Sequence, residues 1–159
     1  MRRRAPLDGA GGRVTSNTDL QIACRVVDRS GVVPALSSLL DAEVGRHRTI
    51  SVRGLLVASQ LNALARHHRA HLVEVARIVN AMTDAQRVAL GIMKHDPAQT
   101  YNRVDRLFNR LCDTLDDGNV VNGVRVDAKW LANRLAAAAV PAEFRASCSV
   151  AIDGTDVET

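Results

Sequence analysis

Histidines that could bind a metal ion cluster at one point in the sequence. His67 and His71 are four residues apart, with His68 and Glu74 close by. On a helix this spacing places two imidazoles on one face, and such a pair can ligate zinc. The segment has no HExxH pattern, however, and the cations of the basic stretch 66–69 oppose a bound metal ion. We therefore favour a basic connector between two helices over a metal site.

Arginines form two further groups that could bind an anion. Arg103, Arg106 and Arg110 occupy positions i, i+3 and i+7 of a predicted helix, so they share one side of it. Arg66 and Arg69 flank the histidines of the basic connector. Arginine forms paired hydrogen bonds with phosphate oxygens and guanine edges, so either group could lie along a DNA backbone. The alternative for both groups is a solvated surface, where most charged side chains lie.

The composition permits an acidic partner but does not require one. The net charge of the 159-residue chain is +4, and arginine supplies nearly all of the positive charge, since only Lys94 and Lys129 are lysines. Aromatic residues make up 3% of the chain, too few for single-stranded nucleic acid to bind by base stacking. A hydrophobic share of 47% is enough to build a buried core.

Cysteine usage and hydropathy indicate where the protein resides. The three cysteines, Cys24, Cys112 and Cys148, are far apart and include no CxxC pair, which argues against a disulfide framework. Cys24 and Cys112 fit apolar helical patterns and are predicted to be small core residues. No apolar stretch follows the basic N-terminus, and no apolar run is long enough to cross a bilayer. We expect a soluble, cytoplasmic protein with no membrane partner.

Apolar periodicity predicts helices through most of the chain. The helix near 51–65 is apolar on more than one face, which predicts a place in the middle of a bundle. The clearest stripe belongs to the helix near 100–116 and consists of Val104, Leu107, Phe108, Leu111 and Leu115. Other helices are predicted at about 19–28, 33–44, 70–82 and 127–138, with a short one after the capping box of Thr83 and Gln86.

Turns and loops separate these helices. A turn is predicted at 29–31 and a loop at 92–99. Asn122-Gly123, between short apolar runs, favours a tight hairpin over 120–126. The expected fold is therefore mainly α, a bundle of about six to seven helices.

The pattern changes near the end of the chain. Residues 147–152 alternate small polar and apolar side chains, which predicts a short C-terminal β-strand. Asp153 follows this strand directly. A lone strand leaves its backbone groups unpaired, so we expect the segment to be poorly ordered unless another strand joins it. A turn aspartate is the simplest interpretation of Asp153.

Four segments, taken in order, resemble the N-terminal part of a bacterial insertion-sequence DDE-type transposase. They are 49–56 (TISVRGLL), 82–91 (MTDAQRVALG), 101–108 (YNRVDRLF) and 150–156 (VAIDGTD). The last is similar to the first strand of the family's RNase H-like core. The resemblance covers about residues 20–159. Together with the glycines and the low apolar content of residues 1–16, it predicts three regions. These are a disordered tail (1–16), a helical N-terminal domain (17–140) and the truncated start of an RNase H-like core (141–159).

The resemblance also implies roles for individual residues. It makes Asp153 the first acid of the catalytic triad and a Mg²⁺ ligand, in chemistry that needs two metal ions about 4 Å apart. The family's other two acids lie far downstream, and Asp156 and Glu158 are too close in sequence to replace them. We therefore expect a truncated transposase-like protein that is not catalytically competent alone and holds no cofactor by itself.

The functional role implied for the helical region is DNA binding or assembly. Its expected partners are duplex DNA, a second copy of the chain or a full-length transposase. The alternative interpretation is a self-contained helical protein-interaction module with no role on DNA. Salt dependence separates the two, because a DNA-binding protein loses affinity steeply as salt rises.

Overall fold

Seven helices and a two-stranded antiparallel sheet form the part of the chain that the structure describes. The computed structural model describes residues 16–41, 49–65 and 71–141. The helices are α1 (Asn17–Ser30), α2 (Val32–Asp41), α3 (Val52–Ala65), α4 (Leu72–Ala81), α5 (Asp84–Ala89), α6 (Thr100–Asp117) and α7 (Ala128–Ala139). The strands are β1 (Asn119–Val121) and β2 (Val124–Val126). The prediction of a mainly helical fold is confirmed. The strand predicted at 147–152 and all but the last residue of the predicted tail 1–16 lie outside the described ranges.

Helix α3 lies in the middle of the helical core, as its apolar sequence predicts. It packs against α1, α2, α4 and α6. Its buried apolar residues are distributed around more than one side of the helix and include Val52, Leu55, Leu56, Val57 and Leu61. Each such side chain contributes about 1.5–3 kcal/mol when it leaves water. The burial ends before the helix does, because Leu64 in the last turn is half exposed.

Side-chain caps define the beginnings of four helices, and at α3 the Ser51 hydroxyl accepts a hydrogen bond from the Gly54 N–H at 2.9 Å. Ser16 accepts a hydrogen bond from a backbone N–H in the first turn of α1, and Asp127 does the same for α7. The predicted capping box is confirmed: Thr83 Oγ1 accepts from the Gln86 N–H, and the Gln86 side chain accepts from the Thr83 N–H. These bonds satisfy amide groups that have no partner inside the helix.

The predicted turn at 29–31 is shorter in the structure. Arg29 and Ser30 still belong to α1, and only Gly31 turns, with a φ of 68°. The buried Ser30 hydroxyl donates to the Val27 carbonyl at 2.6 Å. This local bond satisfies a polar group inside the core, so serine continues the helix here although it often favours turns.

A two-residue turn joins β1 and β2, as the Asn-Gly pair predicts. Asn122 and Gly123 both have positive φ, at 50° and 78°, which is the conformation of a type I′ turn. Asn119 pairs with Val126, and Val126 is fully buried against the helices. The hairpin therefore packs its second strand on the helical core, and α7 begins directly after it.

Helix α6 buries a narrow stripe, with one departure from the prediction. Val104, Leu107, Leu111 and Leu115 are buried as predicted. Phe108 was predicted in the same stripe but is 36% exposed. The buried positions follow steps of three and four residues, and Phe108 is rotated by about 100° from Leu107, to the flank of the stripe.

Candidate nucleic-acid interface

The segment between α5 and α6, residues 90–99, is fastened to the beginning of α3. The Ser51 hydroxyl donates to the Leu90 carbonyl at 2.5 Å. Ile50 and Ile92 form an isolated antiparallel bridge, although the sequence pattern predicts a plain loop at 92–99. Since both contacts join parts of the chain about forty residues apart, periodicity within a segment could not indicate them. These contacts therefore hold the segment, which directly precedes α6 in the chain, in a fixed position against the beginning of α3.

Lys94 and Arg103 meet where this segment leads into α6. Lys94 has a φ of 49°, a left-handed conformation that non-glycine residues adopt at a cost of about 1–3 kcal/mol. Its carbonyl accepts a hydrogen bond from Arg103 Nη1 at 2.8 Å. This bond holds the guanidinium of Arg103 next to the backbone of Lys94. A basic residue of the loop and a basic residue of α6 thus share one surface.

Lys94, Arg103, Arg106 and Arg110 together form a surface that we call the basic ridge. The three arginines lie on one side of α6, three and four residues apart, and span about 10 Å along the helix axis. Arg106 and Lys94 are exposed, and Arg103 and Arg110 are partly buried. Within the described ranges, the Arg106 and Lys94 side chains make no hydrogen bond or ion pair. The ridge therefore presents cationic groups that are available to an anion.

Asn80 at the end of α4 fastens the same loop from another side. Its Oδ1 lies 2.7 Å from His95 Nε2 and 2.7 Å from the Thr100 hydroxyl. Its Nδ2 faces the Pro97 carbonyl at 3.5 Å. A carbonyl can only accept, so the amide nitrogen must face Pro97 and the amide oxygen must face His95 and Thr100. The neutral His95 ring consequently carries its proton on Nε2, where it donates to Asn80.

His95 is held neutral by its surroundings. Partial burial lowers its pKa from the ordinary value of 6.5, and the cation Arg87 acts in the same direction. Asp84 and Asp96 oppose this effect, while Arg103 adds to it. At neutral pH the ring therefore adds no charge to the basic ridge in the free protein.

A second polar cluster, formed by Cys24, Asp28 and Arg53, joins α1 to α3. Arg53 donates to both carboxylate oxygens of Asp28, at 2.7 and 2.8 Å. It also donates to the Ala89 carbonyl at the end of α5, at 3.1 Å. Burial raises the pKa of the Cys24 thiol above its ordinary value, which keeps the sulfur protonated and a poor nucleophile. Because every contact in this cluster joins two elements of the fold, we interpret it as structural.

The structure brings together some of the predicted site residues, and others lie outside its range. Arg103, Arg106 and Arg110 share one side of α6, as predicted. Arg66, Arg69 and Asp153 lie outside the described residues, so their predicted roles in DNA binding and in Mg²⁺ coordination stay predictions. Of the histidine cluster, His71 and Glu74 are described, and the described residues contain no group of three side chains placed to hold a metal ion.

The sequence pattern does not predict Lys94 and His95 as members of this surface. Both lie in the predicted loop 92–99, where periodicity carries no information. The Lys94 carbonyl is bonded by Arg103, nine residues away. No local sequence motif predicts the left-handed backbone at Lys94. Their position directly before a helix that bears a row of arginines was the one available signal.

Comparisons with protein families, with curated proteins and with solved structures found no match to this chain. Across residues 16–41, 49–65 and 71–141, none of the helices combines the length and the apolar character needed to cross a bilayer.

Proposed function

We propose that this chain is the N-terminal helical region of a DDE-type transposase, and that its basic ridge binds duplex DNA. The order of the four sequence motifs supports the family. The basic ridge supports the partner, because it places three arginines along one side of α6 and Lys94 beside the first turn of that helix. The role proposed for the ridge is to contact the phosphate backbone, which fixes position on DNA without reading its sequence.

The charges of α6 are the observation that carries this proposal. A helix is stabilised by acidic residues in its first turn and basic residues in its last turn, and α6 has neither. Arg103 lies in the first turn, while Asp116 and Asp117 lie in the last. This arrangement opposes the helix dipole at both ends, at about 0.3–1 kcal/mol for each charge. It also adds the charge of Arg103 to the positive end of the dipole, where Lys94 lies, so the two cations and the helix dipole act together at that end of the ridge.

Salt dependence of DNA binding tests the proposal. Binding of a fluorescent duplex is measured by anisotropy over a salt series starting at about 50 mM. Log affinity should fall linearly with log salt, with a slope of about −0.9 for each phosphate contacted. Arg106→Gln should reduce the magnitude of this slope by about 0.9 and lower the affinity for all sequences alike.

Arg25→Gln is the matched control for this variant. Arg25 is an exposed arginine on α1, a helix whose main contacts are with α2, α3 and α7 rather than with the ridge. Both substitutions remove one positive charge, so a general effect of net charge would appear in both. Equal losses in the two variants would contradict a specific role for the ridge.

The alternative function is a helical protein-interaction module. Exposed apolar side chains support it: Val73 and Tyr101 are both 45% exposed and line an open cavity of about 220 Å³ between α4 and α6. Such a module would show no binding to duplex DNA at low salt. That result would overturn the DNA-binding proposal and favour an assembly role.

A further inference from the structure

His95 extends the basic ridge at its Lys94 end. It directly follows Lys94 in the chain, and Arg103, whose guanidinium bonds the Lys94 carbonyl, is close enough to influence its titration. Nε2 is engaged by Asn80. Among the described residues, Nδ1 has no hydrogen-bond partner. The ring is thus fixed at one nitrogen and has a second nitrogen that can take up a proton.

We infer that His95 binds a DNA phosphate through Nδ1, taking up a proton from solvent as the duplex docks on the basic ridge. Protonation at Nδ1 leaves the Nε2–H bond to Asn80 intact, so the ring need not move. The imidazolium then donates a charge-assisted hydrogen bond to a phosphate oxygen. This inference rests on the proposed DNA-binding function and adds a pH dependence to it.

The charges around His95 explain why the proton is taken up only on binding. In the free protein, Arg87 of α5 and Arg103 of α6 repel a positive charge on the ring, while Asp84 of α5 and Asp96 of the loop attract it. Asn80 of α4 is neutral and holds Nε2 in either protonation state. A phosphate near Nδ1 adds negative charge and turns the balance toward the imidazolium. By linkage, a group that gains a proton on binding must make binding stronger at lower pH.

The test measures duplex affinity between about pH 8 and about pH 5 at constant low salt. The wild-type affinity should rise as pH falls, by about tenfold for each unit by which DNA raises the His95 pKa. His95→Gln retains an amide N–H in the place of Nε2 but cannot be protonated, so its affinity should rise less. His71→Gln is the control, since His71 is an exposed histidine about 13 Å further along α4 from Asn80.

Titrations of the ring by NMR, with and without duplex, supply the second measurement. The His95 pKa should be higher in the complex than in the free protein. Circular dichroism at each pH checks that the helices persist. Equal pH dependence in wild type and His95→Gln, or an unchanged His95 pKa in the complex, would overturn the inference while leaving the DNA-binding proposal intact. Absence of binding at every pH and at low salt would instead overturn the DNA-binding proposal itself.

Discussion

Arg87 shows how one buried charge can end a helix. Arg87 is buried, with 9% of its surface exposed. Its Nη1 donates to the carbonyls of Val79, Asn80 and Met82 at the end of α4. Nη2 bonds the Asp84 carboxylate at 2.5 Å. The last carbonyls of a helix lack the partners that a further turn would supply. The Val79 carbonyl accepts from the Met82 N–H, whereas the guanidinium supplies the donor for the carbonyls of Asn80 and Met82. Because α4 ends at Met82 with an extended backbone rather than a left-handed glycine, this arginine takes over the role of the usual C-terminal cap.

Replacing Arg87 should therefore destabilise the protein. Arg87→Met removes the donors but retains an apolar stem, and the carbonyls left without partners should cost about 1–3 kcal/mol. Urea denaturation followed by circular dichroism measures the loss. Arg77→Met is the control. Arg77 also lies on α4, but its side chain is 69% exposed and, among the described residues, pairs with Glu74 alone, so the expected change is under about 0.5 kcal/mol. Equal losses in both variants would show that Arg87 acts only as a surface charge.

For individual helices and turns, the sequence predicts those features that depend on residues close together in the chain. The capping box at Thr83 and the Asn122-Gly123 turn depend on residues within four positions of each other, and both occur as predicted. The burial stripes of α3 and α6 follow from periodicity in the same way. Contacts between distant segments were not predictable. The bridge between Ile50 and Ile92 depends on which segment lies opposite, and periodicity carries no such information.

In the candidate site, too, local features could be predicted from the sequence and contacts between distant segments could not. The arginine row on α6 follows from helical spacing, so it could be predicted from the sequence. The positions of Lys94 and His95 beside this row could not be predicted, because they depend on a loop held by Ser51, directly before α3, and by Asn80 of α4. A sequence pattern can thus place charges on one helix, whereas the fold decides which loop residues join them.

Gly54 marks the closest approach of α3 to the 90–99 segment. A Cβ at this position would lie 3.0 Å from the Leu90 carbonyl oxygen and 3.0 Å from Ile92 Cγ1. The carbonyl belongs to backbone that Ser51 and Arg87 hold in place, since Ser51 bonds Leu90 and the Ile92 N–H donates to the Arg87 carbonyl. Neither neighbour can give way easily. The glycine therefore serves close packing between elements, even though it disfavours the helix itself.

Gly54→Ala should be destabilising, although alanine is the better helix former. Its helical preference contributes about 1 kcal/mol, and we expect overpacking at about 1–3 kcal/mol to outweigh it. Ala63→Gly, at an exposed position of the same helix, measures the helical preference alone and should lose about 1 kcal/mol. Thermal unfolding of the two variants provides the comparison. A more stable Gly54→Ala protein would mean that α3 and the 90–99 segment are further apart than described.

For the whole molecule, polar ties between elements complement the apolar core. Arg53 of α3 bonds Asp28 of α1 and the last carbonyl of α5. Asn80 of α4 bonds the loop and the beginning of α6. These ties fix which helix ends lie together, while the core around α3 supplies most of the stabilisation. One of the helix ends joined in this way is the beginning of α6, beside which Lys94 of the basic ridge lies.

The Asp28–Arg53 tie makes the stability of the whole fold dependent on pH. The hydrogen bond from Arg53 lowers the pKa of Asp28 below its ordinary value of 3.8. A carboxyl group with a lowered pKa in the folded state stabilises the fold above the unfolded value and loses that effect as pH falls through the folded one. Asp28→Asn should therefore be less stable than wild type at neutral pH, by under about 1 kcal/mol because solvent reaches the half-exposed Asp28 carboxylate and screens the pair. The difference should shrink as pH falls below 3.8, and urea midpoints over a pH series measure it.

Asp116→Asn should show no such loss, since a carboxylate in the last turn of α6 opposes the helix dipole. A difference between wild type and Asp28→Asn that stays constant down to the lowest pH would mean that the charge of Asp28 contributes nothing.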